Sequence, residues 1–339
     1  MIPTDRCFII AELSANHNGS KDIAIETIRA AKRTGADAIK FQTYTADTIT
    51  LNSKKEDFKL NQGTIWDGIF LHDLYQQAYT PWEWFKDLYA VAREEGLIVF
   101  SSPFDKTAVD LLESLDNPIY KIASFEITDI PLIEYCAKTM KPIIISTGIA
   151  TDEDIQLAVD TCRNVGNNDI TLLKCTSSYP APIEEANLVM IKDLKQRFNV
   201  KSGLSDHTMG IITPIVAVTL GATVIEKHFI LNKEIGGPDA SFSLDETEFT
   251  QMVTAVRAAE KATGEISYKL TDKMKNGREF SRSLYITDTV KLGEIITEKN
   301  VRSVRPGFGL HPKYYKEILG KKFSADFEKG TALKKEYFD

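Results

Sequence analysis

Short β-rich runs alternate with amphipathic helical stretches along most of the chain, and no hairpin signal interrupts them. The runs are Cys7–Leu13, Ala38–Thr43, Ile98–Phe104, Ile119–Ser124, Pro142–Thr147, Ile170–Ser177, Lys201–His207 and Thr223–Phe229. Helical periodicity fills the intervals at Ile23–Arg33, Trp82–Glu95, Thr107–Leu115, Leu132–Lys138, Asp152–Arg163, Leu188–Phe198 and Thr213–Leu220. A further helix, Asp245–Ala262, follows the last run. Strands separated by helices pair in parallel, because a parallel crossover takes a dozen or more residues whereas an antiparallel hairpin needs two. Eight such units in about 250 residues predict a (β/α)8 barrel, an α/β fold. The competing architecture, an open doubly wound sheet, ordinarily carries a glycine-rich phosphate turn after its first strand; here that turn reads ELSANHNG.

Local punctuation supports the units. Gly35 and Gly96 stand where helices end before a strand, and Thr151 with the acids after it opens a helix. The second unit carries a long insertion, Ala46–Thr80, with Trp66, His72 and Tyr75; a loop of that length predicts a functional segment. After Gly264 the pattern changes. Leu270–Phe280 is charged and weakly periodic and reads as a linker, and Ser281–Asp339 forms a short module with Gly293, Pro306, Gly307, Gly309 and Pro312 at its turns. The expected division is a barrel at 1–264, a linker at 265–280 and a small domain at 281–339.

A balance of 41 basic against 48 acidic residues argues against a general nucleic-acid surface but leaves room for a local basic pocket. Cys7, Cys136, Cys162 and Cys175 are scattered, which predicts buried thiols rather than bridges or a thiolate metal site. The N-terminal apolar run is too short for a signal peptide. The longest apolar stretch, Ile211–Ile225, is interrupted by Thr213, Pro214, Thr219, Gly221 and Thr223 and falls short of a membrane span. The expectation is a soluble cytoplasmic protein with neither nucleic acid nor membrane as partner.

Polar residues fall at the ends of all the predicted strands. They are Glu12, Lys40 with Gln42, Ser101 with Ser102, Lys121 with Ser124, Ser146, Ser177 with Tyr179, Ser205 with His207, and Glu226 with His228. A buried parallel strand normally reads apolar throughout, and barrel chemistry sits at the C-terminal strand ends. One such residue is an ordinary solvated edge; the full set predicts one site. Lys40, Lys121 and the serines suit phosphate and carboxylate together. His207 and His228, at neighbouring strand ends, suit a shared divalent ion with Glu12 nearby as ligand or water-orienting group. Gly236-Gly-Pro then presents Asp239 from a stiffened turn.

The motifs IAELSANHNG at Ile10–Gly19, IKFQTY at Ile39–Tyr44, SSPFD, KIASFEITD, STG, SSYP, LSDHTMG, IEKHF and RPGFG follow one another in this order. As a set they resemble the sialic acid synthase family over nearly the whole chain. That implies a (β/α)8 TIM barrel with a small C-terminal antifreeze-like (SAF) domain, which Ser281–Asp339 resembles. The resemblance also implies a transferase that condenses phosphoenolpyruvate with an open-chain amino-sugar aldehyde and water, giving a nine-carbon 2-keto acid and phosphate by C–O cleavage. Within the family, GGPDASFSLD and RPGFGLHPKY resemble the pseudaminic branch, whose sugar is 2,4-diacetamido-2,4,6-trideoxy-L-altrose. The N-acetylneuraminate and legionaminate branches, with other amino sugars, are the alternative. Small and apolar groups at Ala240-Ser-Phe-Ser are expected to accept the methyl and acetamido substituents of that sugar.

By the same resemblance, His207 and His228 match metal ligands, usually for Mn2+, with Mg2+ or Co2+ as alternatives. Glu12 matches the carboxylate beside a bound water. Lys40 and Ser102 match positions that hold the phosphoenolpyruvate carboxylate. Lys121, Ser124, Ser146, Ser177 and Ser205 match those around its phosphate, although Ser177 departs from the asparagine common in the sialic branch. Gln42, Glu126, Tyr179 and Asp239 match the sugar pocket, and Asp239 is a candidate for moving a proton in ring opening. Arg305 matches an arginine that reaches the other subunit's site in a domain-swapped homodimer. Two readings outside the family compete: a class II aldolase acting on a sugar phosphate, which leaves the C-terminal module unexplained, and a non-enzymatic sugar-binding or antifreeze-like module.

Overall fold

Eight strands close into a parallel barrel in the order of the sequence, in a computed structural model that describes residues 5–61 and 66–339. They are β1 (Phe8–Glu12), β2 (Ala38–Thr43), β3 (Ile98–Pro103), β4 (Tyr120–Ile122), β5 (Ile143–Ser146), β6 (Ile170–Cys175), β7 (Lys201–Asp206) and β8 (Val224–His228). Closure comes from β8 returning to β1, with Phe8 opposite Val224 and Glu12 opposite His228. The crossover helices lie close to their expected positions, from Lys21–Arg33 to Ile212–Thr219, and Glu246–Thr263 follows β8.

The period of two along each strand explains both the barrel and its site. One parity points inward. Phe8, Ile10, Ala38, Phe100, Ile119, Ile144, Leu173 and Val224 form a closed inner cluster. The other parity, including Ile9, Ile39, Phe41, Val99, Ile145 and Leu172, packs in the large cluster shared with the helices. Continuing the inward parity toward the C-terminal ends gives Glu12, Lys40, Gln42, Ser102, Lys121, Ser146, Ser205, Glu226 and His228. Ser101 has the outward parity. Its hydroxyl meets that of Thr43 at 2.6 Å, so it belongs to the wall and not to the site.

Helix entry and exit are set locally. Ser20, Asp105, Asp129, Thr151 and Asp245 each cap a helix N-terminus with a side-chain oxygen, a bond of about 1 kcal/mol. Gly35 and Gly96, at φ of +83° and +70°, turn the chain into β2 and β3 as their positions in the sequence predict. The insertion after β2 carries short helices at Ala46–Ile49 and Leu71–Ala78; residues 62–65 of it lie outside the described residues. All four cysteines are free and buried, as expected. Among the described residues no helix is long and apolar enough to cross a membrane.

The chain divides into two compact units, Met1–Gly264 and Glu265–Asp339. In the second, β9 (Ser283–Ile286) pairs antiparallel with β10 (Val301–Val304). The unit has its own core of Leu284, Ile286, Val290, Ile296, Val301, Ile318, Phe323 and Leu333. The segment expected as a linker contains a helix, Asp272–Gly277, and a 3-10 turn, Arg278–Phe280.

Candidate active site

Two lysines and two carboxylates occupy the centre of the barrel at its C-terminal end. Lys40 Nζ lies 2.5 Å from Glu12 Oε2 and 3.6 Å from Glu226 Oε1, and Lys121 Nζ lies 3.7 Å from the same Glu226 oxygen. All four are almost fully buried. The Lys40–Glu12 approach is an ion pair without hydrogen-bond direction, since neither Glu12 oxygen accepts a well-aligned bond. Burial raises the Glu12 carboxyl to about 7, with Lys40 opposing and Glu226 adding to the rise. Burial would lift Glu226 too, but Lys121 and Lys40 outweigh it and hold that carboxyl below its ordinary value. The environment therefore separates two like groups. Glu226 stays ionised, while Glu12 exchanges its proton near neutrality, as acid–base work requires.

An anion cradle opens beside the lysines. Lys40 Nζ donates to Ser102 Oγ at 3.2 Å and Lys121 Nζ to Ser146 Oγ at 2.7 Å. Ser205 Oγ reaches Glu226 at 3.4 Å. The loops after β4, β5 and β6 converge at Gly148, whose N–H donates to Ser124 Oγ at 3.1 Å. A Cβ at Gly148 would stand 2.1 Å from Ser177 Oγ, 2.7 Å from Ser124 Oγ and 3.2 Å from Cys175 Sγ. Only glycine leaves this hydroxyl-lined space open. Gly148→Ala is expected to fill this space and raise the KM of an anionic substrate by about 10- to 150-fold, the scale of one displaced hydrogen bond to a charged group, and to leave the KM of a second substrate nearly unchanged. Steady-state kinetics on both substrates checks it. A rise in the KM of the second substrate alone would place the cradle there.

The imidazoles of His207 and His228 face each other with ring centroids 5.4 Å apart. His207 Nδ1 donates to the Thr176 carbonyl at 2.9 Å, which leaves Nε2 as its lone-pair nitrogen. Burial pushes His228 well below its ordinary value, with His207 and Lys40 adding to the effect, so it is neutral. Its Nδ1 has no hydrogen-bond partner, and Asp239 Oδ2 stands 3.8 Å away. Burial would lower His207, but Cys175 and the Thr176 carbonyl outweigh it and hold that ring above its ordinary value. The unpartnered nitrogen of neutral His228, with His207 Nε2 once that ring gives up its proton, fits a divalent ion. Among the described residues no group of three or more His, Cys, Asp or Glu side chains completes such a site. Substrate and water would fill its other positions, as an open catalytic site requires.

Behind the imidazoles lies Phe242, its ring centroid 5.0 Å from His228 and 5.3 Å from Tyr179. Tyr179 in turn sits 4.4 Å from His207. The expectation that Ala240-Ser-Phe-Ser lines the sugar pocket is therefore corrected. Ala240 and Phe242 are buried, and neither lines the cavity. Ser243 Oγ instead donates to the Asp239 carbonyl at 2.6 Å and accepts from Asn16 at 2.8 Å, fixing the Asp239 turn against the loop after β1. Ala15 N–H also reaches Asp239 Oδ2 at 3.4 Å.

A cavity of about 460 Å³ brings together Gln42, Ser124, Glu126, Ser177, Tyr179, His228 and Asp239. Its far wall, unexpected from the strand ends, is apolar: Ile49, Leu60, Leu71, Leu74 and Ala78 of the insertion, with Phe104 and the rings of Tyr44 and Tyr75. The spacing of Leu71, Leu74 and Ala78 on one helical face carried that signal. Burial raises Glu126 to about 7, and its Oε2 has no partner. Arg305 belongs to the second unit, where a loop closed by two packed glycines holds it. A Cβ would meet Ser281 Oγ at 2.6 Å from Gly307 and the Leu284 carbonyl at 2.2 Å from Gly309.

Buried cations, hydroxyls and imidazoles at the C-terminal end of a (β/α)8 barrel define an enzyme that handles an anionic substrate together with a polar second one. The chain belongs to the NeuB family, matched at residues 27–268, and its residues 281–338 match the SAF domain. It is 52% identical over 98% of its length to the pseudaminic acid synthase of Campylobacter jejuni, covering 97% of that protein. It is likewise 52% identical to that of Helicobacter pylori, covering 96% of each chain. A solved structure of N-acetylneuraminic acid synthetase from Leptospira borgpetersenii superposes with a TM-score of 0.72 at 29% identity, over 80% of this chain and 90% of that one. The family match sets aside both the aldolase and the non-enzymatic readings.

Proposed function

We propose that this chain acts as a pseudaminic acid synthase, condensing phosphoenolpyruvate with 2,4-diacetamido-2,4,6-trideoxy-L-altrose and water to give pseudaminic acid and phosphate. The observation that carries the reading is the adjacency of the Lys40–Lys121 anion cradle and the paired imidazoles to a cavity with an apolar far wall. The 52% identity to proteins of that name supports it.

In this reading Lys40 and Ser102 hold the phosphoenolpyruvate carboxylate, and Lys121, Ser124, Ser146, Ser177 and Ser205 surround its phosphate. Gln42, Glu126 and Tyr179 hold the sugar, with Arg305 reaching it from a second copy. His207 and His228 hold a divalent metal, Mn2+ foremost, with Mg2+ or Co2+ as alternatives; when bound, it supplies polarisation of the aldehyde oxygen. Carbon 3 of the enol ether attacks that aldehyde, and positive charge develops at carbon 2. Glu226, ionised between the lysines, faces that charge. Glu12, whose proton affinity burial raises, takes in its ionised form a proton from the water that adds to carbon 2, and a proton passes to the alkoxide left by attack on the aldehyde. The tetrahedral product then expels phosphate into the cradle. Asp239, beside His228, handles the proton in sugar ring opening.

The reading includes a cytoplasmic homodimer. Phe125, Ile149, Ile183, Val189, Met209 and Ile212, all in the segments that follow the C-terminal ends of β4 to β7, are each about half or more exposed, which favours cover by a second copy. Phosphate release from phosphoenolpyruvate, compared across the altrose-type sugar, N-acetylmannosamine and the legionaminic precursor, tests the substrate. An apolar wall contact is worth about 1–3 kcal/mol per methyl-sized group, so kcat/KM is expected to favour the altrose-type sugar by roughly 10- to 200-fold. Comparable values on all three would remove the branch assignment and leave the family.

A further inference from the structure

Outside the barrel wall, hidden from the cavity, lies a second polar cluster. Asp206 and Lys227 are direct neighbours in the β7–β8 ladder, and each immediately precedes one of the two imidazoles in the chain. Lys227 Nζ donates to Asp206 Oδ2 at 2.5 Å and to the Thr208 carbonyl at 2.6 Å. Asp206 Oδ1 accepts from the Thr208 N–H at 3.0 Å and from its hydroxyl at 2.8 Å, and Thr213 Oγ1 donates to Oδ2 at 2.7 Å. The Lys227 side chain is fully buried, and that of Asp206 is 2% exposed.

We propose that this Asp206–Lys227 clamp is a positioning device that sets the spacing and orientation of His207 and His228. Desolvation offsets most of the attraction within a buried ion pair, so such a pair adds little net stability, whereas its geometry is specific. Here the geometry acts on the imidazoles. Residues 206 and 208 are both tied to Lys227, so the peptide bearing His207 is held from both sides against the residue before His228. The clamp acts beside the backbone ladder and the bonds that Ala181 N–H and Leu244 N–H donate to the His207 and His228 carbonyls. The inference deepens the proposed metal site and rests on it for its consequence, but not for the placement of the rings.

The double variant D206N/K227M removes both charges with nearly unchanged volume, which keeps the fold, whereas K227M alone strands a buried carboxylate. R257M serves as control, because Arg257 pairs with Asp37 at 2.7 Å just before β2, at the opposite end of the barrel. In the metal-free protein, the ring resonances of His207 and His228 are expected to shift in D206N/K227M while those of His17, His72 and His311 stay. In R257M all five stay. Mn2+ affinity, measured by titration, is expected to fall about 10- to 100-fold in D206N/K227M, as is usual when the groups orienting a ligand are lost, and to stay at the parent value in R257M. Unmoved His207 and His228 resonances in the double variant would overturn the clamp. So would equal Mn2+ losses in both variants, which would mark general destabilisation. A H228A arm separates the two claims. If H228A binds Mn2+ like the parent while the double variant still shifts both rings, the metal reading fails and the clamp stands.

Discussion

His228→Ala and His207→Ala are each expected to abolish metal-dependent turnover while the far-ultraviolet circular dichroism of the barrel is retained. Both rings sit at strand ends and keep some exposure, 7% for His207 and 8% for His228, so neither carries the inner or outer apolar cluster. Among the described residues no group of three or more His, Cys, Asp or Glu side chains forms a site that could compensate for losing one imidazole. Loss of a group that merely orients a ligand costs about 10- to 100-fold in metal affinity, so loss of a ligand costs at least that. Mn2+ titration and phosphate release, with and without a chelator, read the effect. Parent-like metal affinity in either variant would remove these residues from the metal site.

Mixing two inactive proteins, Arg305→Ala and His228→Ala, is expected to restore about a quarter of the wild-type activity after random subunit exchange. The arithmetic follows from a site built of one copy's barrel and the other's arginine. Half of the dimers are mixed, and each has one site with both residues intact. Arg305 stands on a loop braced at Gly307 and Gly309, with Phe308 exposed beside it, so the pair is offered outward rather than folded into its own core. A planar guanidinium suits the hydroxyl and acetamido oxygens of an amino sugar. If the arginine serves its own barrel, every site in the mixture lacks one group. No recovery after exchange confirmed by mass spectrometry would then exclude action on the partner copy.

The barrel and most of the site were legible in the sequence because both are consequences of short-range periods. A period of two places Lys40 and Gln42 on the face of Ala38, and Glu226 and His228 on the face of Val224. A period of 3.6 fills the intervals with helices. The same parity separates Ser102, in the site, from Ser101, in the wall, although the strand-end reading grouped them. It also places Glu226 between two lysines, where the strand-end reading assigned it no role.

What tertiary structure alone decided is which loop meets which strand end. The apolar wall of Leu71, Leu74, Tyr75 and Phe104 arises because the insertion after β2 folds over the mouth. Phe242 packs on the His228 imidazole and is not among the residues lining the cavity, and Gly148 is required because Ser124 and Ser177 arrive from other strands. The Asp206–Lys227 pair is two polar letters in two separate motifs until the ladder sets them opposite each other. Side-chain direction is a property of local backbone geometry and can be read along the chain. Packing between segments remote in sequence depends on which surfaces bury each other, and no local period encodes that.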